Sequence, residues 1–182
     1  TVYDIDLSYD HSDKIIYTKE INIENEKTTA EISKVSATDE KELPGAQLSL
    51  FDKEGNLVET WISGNEPHII RGLLVNEEYT LHEDLAPIGY ATASDVTFTV
   101  NADGTPTKVT MKDEITKVDI SKVDATNEKE IEGAKLTLTD KETGEVIEQW
   151  TSEKEPHRIE GLEVGKIYIL HEDLAPVGYE VA

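Results

Sequence analysis

Apolar and polar residues alternate along most of this chain in short runs, and the runs are rich in Val, Ile, Thr and Tyr. A period of two puts every second side chain on one face of an extended strand, so each run predicts a β-strand with one dry face and one wet face. The runs fall at residues 2–8, 14–24, 30–35, 47–51, 57–62, 78–83, 96–100 and 108–112. Gly, Asn and Asp punctuate them, and turns are expected at 52–56 and 101–104. No window of twelve residues carries helical periodicity. The expected class is all-β, with strands of this length and spacing arranged as small Ig-like β-sandwiches.

The pattern recurs along the chain. Ile32-Ser33-Lys34-Val35 returns as Ile120-Ser121-Lys122-Val123, an offset of 88 (120 minus 32). Leu81-His82-Glu83-Asp84-Leu85-Ala86-Pro87 returns as Leu170-His171-Glu172-Asp173-Leu174-Ala175-Pro176, an offset of 89 (170 minus 81). The extra residue fits the turn where Glu54-Gly55-Asn56 faces Glu142-Thr143-Gly144-Glu145, since turns carry least packing. Ile21-Asn22-Ile23-Glu24-Asn25 also matches Val109-Thr110-Met111-Lys112-Asp113 at 88 (109 minus 21). Residues 1–28 are therefore expected to be the C-terminal strands of a preceding domain, 29–116 a complete domain, and 117–182 a second one lacking its last strands. Because the chain opens inside a strand-like run, it reads as an excised fragment.

Strand parity exposes an anomaly. The face formed by Ala30 and Ile32 includes Lys34, and its second copy, Val118 and Ile120, includes Lys122. Tyr79 and Leu81 share a face with Glu83, as Tyr168 and Leu170 do with Glu172. Val109, Met111 and Ile115 share a face with Asp113, and Ile21 and Ile23 with Asn25. An unpaired charge in a core is costly. Lys34 and Asp113 either sit at strand ends, form a buried salt bridge near Glu83, or do chemistry. In a dry cluster burial favours a neutral amine beside neutral acids. The Lys34 amine would then be a nucleophile, the Asp113 carboxyl carbon its electrophile, and Glu83 the group that polarises the carboxyl and relays protons. The product is an amide that spans 79 positions (113 minus 34) and releases water, or ammonia where the acceptor is an asparagine such as Asn25. A link between first and last strands would carry tension past the rest of the domain.

These residues make the chain resemble the Cna B-type domains of Gram-positive surface adhesins and pilins. The resemblance rests on Ile-Ser-Lys-Val with Glu-Leu-Pro-Gly-Ala (32–35 and 42–46), Leu-His-Glu-Asp-Leu-Ala-Pro-Ile-Gly-Tyr (81–90) and Val-Thr-Met-Lys-Asp-Glu (109–114). It implies a prealbumin-like β-sandwich with first and last strands side by side. It also implies an autocatalytic isopeptide bond from Lys34 to Asp113, with Glu83 assisting. In the second copy Lys122 and Glu172 match, but no acceptor follows, so that copy is not expected to close on itself. Leu43-Pro44-Gly45-Ala46 shares only two letters with a sortase signal, and no pilin-type lysine motif is evident. The expected role is a stalk or spacer repeat of an extracellular, cell-wall-anchored adhesin or pilus-like protein. The alternative is an adhesin module that binds a host or extracellular-matrix protein. A spacer predicts similar copies and a binder predicts one elaborated loop; the single-residue difference between Lys and Glu favours the spacer. The unmatched Lys122 and Asn25 also suggest head-to-tail strand exchange between molecules.

Composition narrows the remaining options. Seventeen Lys and Arg against 39 Asp and Glu give a net charge of -22, which repels nucleic acid and anionic membranes. There is no cysteine, so disulfides and thiolate chemistry are out. No run approaches the roughly 18 apolar residues of a membrane-spanning helix. No enzyme motif surrounds His82 or His171, which fall on the face opposite Glu83 and Glu172, so only single-turnover chemistry is expected. The acidic runs at 10–13 and 39–42 lack the alternating ligands of a calcium loop, and neither metal nor cofactor is expected. Trp61 and Trp150 recur at matching places and read as packing residues.

Overall fold

A computed structural model describes residues 25–182. The expected strands at 2–8 and 14–24 lie outside the described residues. Twelve strands follow in order: β1 Thr29–Ser36, β2 Gln47–Asp52, β3 Leu57–Ile62, β4 His68–Arg71, β5 Glu78–Leu85, β6 Val96–Thr99, β7 Thr107–Asp113, β8 Lys117–Ile120, β9 Lys135–Asp140, β10 Val146–Thr151, β11 His157–Glu160 and β12 Tyr168–Leu174. The class is all-β, as the alternation predicted.

The first seven strands make two sheets, one ordered β4-β1-β7 and the other β3-β2-β5-β6. β1 and β7 run parallel, from Ala30 opposite Thr107 to Ser36 opposite Asp113. Every second residue of β7, from Thr107 to Asp113, is buried, and Tyr79, Leu81 and Glu83 are the buried set of β5. Between the sheets pack Ile32, Leu48, Leu50, Leu81 and Met111, with Trp61 and Phe98 against their rim. Burying each of the large aliphatic side chains contributes about 1.5–3 kcal/mol. Turn chemistry fixes the β2–β3 hairpin: Asp52 accepts the backbone N–H groups of Glu54 and Asn56 at 3.0 and 2.8 Å.

The last five strands pair as β11-β8 and β10-β9-β12. β8 pairs with β11 over Lys117 to Ile120, matching the pairing of β1 with β4 over Thr29 to Ile32. The outer half of β1 is flanked by β7 on one side and by residues 41–43 on the other, through the bridge between Val35 and Glu42, whereas among the described residues β8 has no neighbour equivalent to β7. Strand structure there stops before Lys122. The expectation of a dry face through Val118, Ile120 and Lys122, and another through Tyr168, Leu170 and Glu172, is therefore corrected at Val118 and Leu170, while Glu172 is buried and Ile120, Lys122 and Tyr168 are half-buried. Val118 is 41% and Leu170 45% exposed, whereas their first-copy equivalents Ala30 and Leu81 are at 1% and 0%. Among the described residues no counterpart of β6 and β7 covers them.

Candidate functional site

Parity and register together build the site. Lys34 faces inward from β1, opposite Met111, and Asp113 faces inward two positions further along β7. A lysine is long enough to cover that stagger. Glu83 comes from β5 of the facing sheet, so the three groups meet between the layers near the end of the parallel pair. Lys34, Glu83 and Asp113 are all buried. The Lys34 Nζ donates to Asp113 Oδ1 and lies 2.8 Å from Glu83 Oε1. Glu83 Oε2 accepts the backbone N–H of Ala93 at 2.6 Å, which orients the carboxyl. Asp113 Oδ2 makes no hydrogen bond.

The electrostatics are those of a dry pocket. Burial pushes the Asp113 carboxyl up to about 6; the hydrogen bond and charge of Lys34 pull it down, and the nearby Glu83 pushes it up again. A carboxyl that holds its proton is a better electrophile than a carboxylate, because its departing oxygen can leave as water. The lysine nitrogen, the carboxyl carbon beside it and a carboxylate in contact with the amine are the parts an amide-forming reaction requires.

The second copy assembles part of the same arrangement. Lys122 Nζ lies 3.1 Å from Glu172 Oε1, and Glu172 Oε2 accepts the N–H of Ala182 at 2.6 Å, the position equivalent to Ala93. The Ala182 N–H, and then Lys122, hold the Glu172 carboxyl below its ordinary range despite its burial. Among the described residues no Asp or Asn side chain joins this pair. Asn25 is exposed in an irregular stretch before β1 and belongs to no cluster among the described residues.

His82 lies across the sheet from the cluster, bonded to Asp95 at 2.7 Å, so it takes no part. In the run at 39–42, Asp39 is paired with Lys41 at 2.7 Å; the run at 10–13 lies outside the described residues. Two features escaped the sequence reading. The Ala93 N–H is a backbone donor and leaves no residue-type signature. Trp61 stacks on His68 with ring centres 4.4 Å apart, and Trp150 on His157 at 4.5 Å; each histidine reaches a glutamate, Glu59 or Glu148, at 2.8 Å. A Trp seven residues before a His in both copies was the available signal.

A family model described as SpaA, prealbumin-like fold domain, matches residues 28–115 and again 116–182. No curated protein matches the chain in sequence. Among solved structures, the Bacillus anthracis TIE protein is 25% identical over 87% of this chain, with a TM-score of 0.51. This chain spans 30% of the length of that protein. A streptococcal ancillary pilin is 22% identical over 88% of this chain and 57% of its own, with a TM-score of 0.46. The shaft pilin of Lactobacillus rhamnosus GG is 14% identical over 86% of this chain and 91% of its own, with a TM-score of 0.44.

Proposed function

Because the chain belongs to the SpaA prealbumin-like fold domain family, in two tandem copies, we propose that it is a structural stalk segment of an extracellular, cell-wall-anchored surface protein or pilus. Its complete copy, residues 29–116, is locked by an isopeptide bond between Lys34 and Asp113. The observation that carries this reading is the buried contact of the Lys34 amine with both Asp113 and Glu83 where the first and last strands of one sheet lie side by side.

The reaction balances within the cluster. The Lys34 nitrogen forms a bond to the Asp113 side-chain carbonyl carbon, and one C–O bond of that carboxyl breaks. The oxygen leaves as water, carrying one proton from the carboxyl and one from the amine. Glu83, fixed by the Ala93 N–H and touching Lys34, accepts the amine proton and returns it to the leaving oxygen. Water exclusion favours the step twice, by burying Asp113 so that its carboxyl keeps its proton and by removing the competing nucleophile. The chain turns over once and is not an enzyme in the ordinary sense.

Intact mass under denaturing conditions tests the bond. A loss of one water is expected, and a mass equal to the unmodified sequence overturns it. Lys122 and Glu172 are proposed to remain unreacted in this chain. After acetylation of the denatured protein, peptide mapping should find Lys122 acetylated and Lys34 joined to Asp113. A covalent ladder on denaturing electrophoresis would instead show Lys122 closing on another molecule.

A further inference from the structure

The junction between the two copies is built around one threonine and two glycines that the amide chemistry does not use. Thr116 lies between β7 and β8. Its N–H donates to Gly89 O at 2.9 Å, and its carbonyl accepts the Gly161 N–H at 3.0 Å. Its hydroxyl lies 2.6 Å from Leu162 O and 3.2 Å from Gly89 O; with one proton to give, it donates to the nearer. Gly89 itself lies directly on the Gly161 backbone. A methyl group placed on Gly89 would stand 2.9 Å from Gly161 O and 3.1 Å from Gly161 Cα.

Half of this arrangement belongs to each copy alone. In the first copy Thr28 O accepts the Gly72 N–H at 2.9 Å and the Thr28 hydroxyl donates to Leu73 O at 2.6 Å. The threonine and glycine-leucine corner is thus a property of the repeat. What the junction adds is the turn at residues 87–90 seated on that corner. The turn is in turn anchored to the exit of β7, by the pairing of Tyr90 with Ile115 and the N–H of Ala91 on Glu114 O at 2.9 Å.

We propose that the turn at residues 87–90 is a docking site whose occupant is the Gly161-Leu162 corner of the following domain, pinned through Thr116, and that this seat fixes the angle between the domains. The inference rests on the two-copy reading but not on the amide between Lys34 and Asp113. Without such a seat, relative motion of linked domains is the ordinary expectation. A glycine is required at 89 for two reasons: its φ of +86° and the absence of room for a side chain.

The repeat supplies its own control. Gly178 occupies the same turn with a φ of +89°, and a methyl group there meets nothing within 4 Å. Alanine at either position strains the turn equally, but only at 89 does it collide with the other copy. The chain has no cysteine, so spin labels attached through Asn65→Cys and Glu145→Cys report the distance between the copies. The parent and Gly178→Ala should give one narrow distance peak, and Gly89→Ala should lose it. A narrow peak in Gly89→Ala, or its loss in both variants, overturns the proposal. If Gly89→Ala does not fold, Thr116→Val removes the pin without adding bulk; loss of the narrow peak supports the seat and its persistence overturns it. The intact mass of the same samples reports the amide separately, so either reading can fail without the other.

Discussion

Chains carrying Glu83→Gln should keep the full mass of the sequence and lose about 4.5 kcal/mol of stability in the first copy, the chain-entropy value of a closed loop of this length. Glutamine preserves the size of the side chain and an oxygen for the Ala93 N–H, which the wild-type carboxyl accepts at 2.6 Å. It cannot pass a proton between Lys34 and the leaving oxygen. The variant therefore separates proton relay from packing. A glutamine variant that loses one water as readily as the parent would sink the relay role. Glu83→Ala and Lys34→Ala should also stay at full mass and be less stable still, since each leaves a buried polar partner unmatched. Urea unfolding followed by tryptophan fluorescence, beside intact mass, gives both quantities from one preparation; an unchanged midpoint in a variant that lacks the bond would overturn the loop-closure account.

The second large effect is a reversal of the usual acid sensitivity. In the folded, uncrosslinked state Asp113 holds its proton up to about 6, against an ordinary value of 3.8. Between those values the folded chain binds a proton that the unfolded chain has released. Stability from this group is therefore complete below the lower value and is lost as pH rises through the upper one. In Lys34→Met the amide cannot form and the cation that pulls Asp113 down is gone, so the loss extends above 6. That variant should melt higher near about pH 5 than near about pH 7.5. Under the proposed Lys34–Asp113 amide, the parent should show no such slope from this site. A Lys34→Met variant more stable at the higher pH would remove the claim that burial governs Asp113.

Much of this arrangement was legible because strand parity is strict. Lys34, Glu83 and Asp113 were selected as the polar members of apolar faces, and all three are buried. The strand edges also followed the pattern, with β3 falling on residues 57–62 as expected and β7 extending one residue beyond 108–112 at each end. What parity could not see was dependence on neighbours. β4 was missed because His68-Ile69-Ile70-Arg71 is too short to show alternation, and it exists through its pairing with β1. Val118 and Leu170 follow the same pattern as Ala30 and Leu81 yet stand exposed, since burial belongs to whatever lies opposite and not to the strand itself. The seat of Gly89 on Gly161 was invisible for a related reason. The motif Pro-x-Gly-Tyr announces a turn, but nothing in it announces which surface the turn will touch.

The parallel pairing of β1 and β7 has a consequence for how the fold breaks. The chain enters the first copy at the start of β1 and leaves it at the end of β7, and these two strands are neighbours running in the same direction. Pulling the entry and exit apart slides one strand along the other, so the rungs from Ala30 to Ser36 are loaded together rather than opened one by one from an end. Resistance then scales with the length of the ladder instead of the strength of a single rung. With Lys34 joined to Asp113, sliding is blocked altogether, and the 78 residues between them (113 minus 34, less one) are removed from the extensible contour. At about 3.4 Å per extended residue, that withholds roughly 270 Å of slack from each such copy in a row.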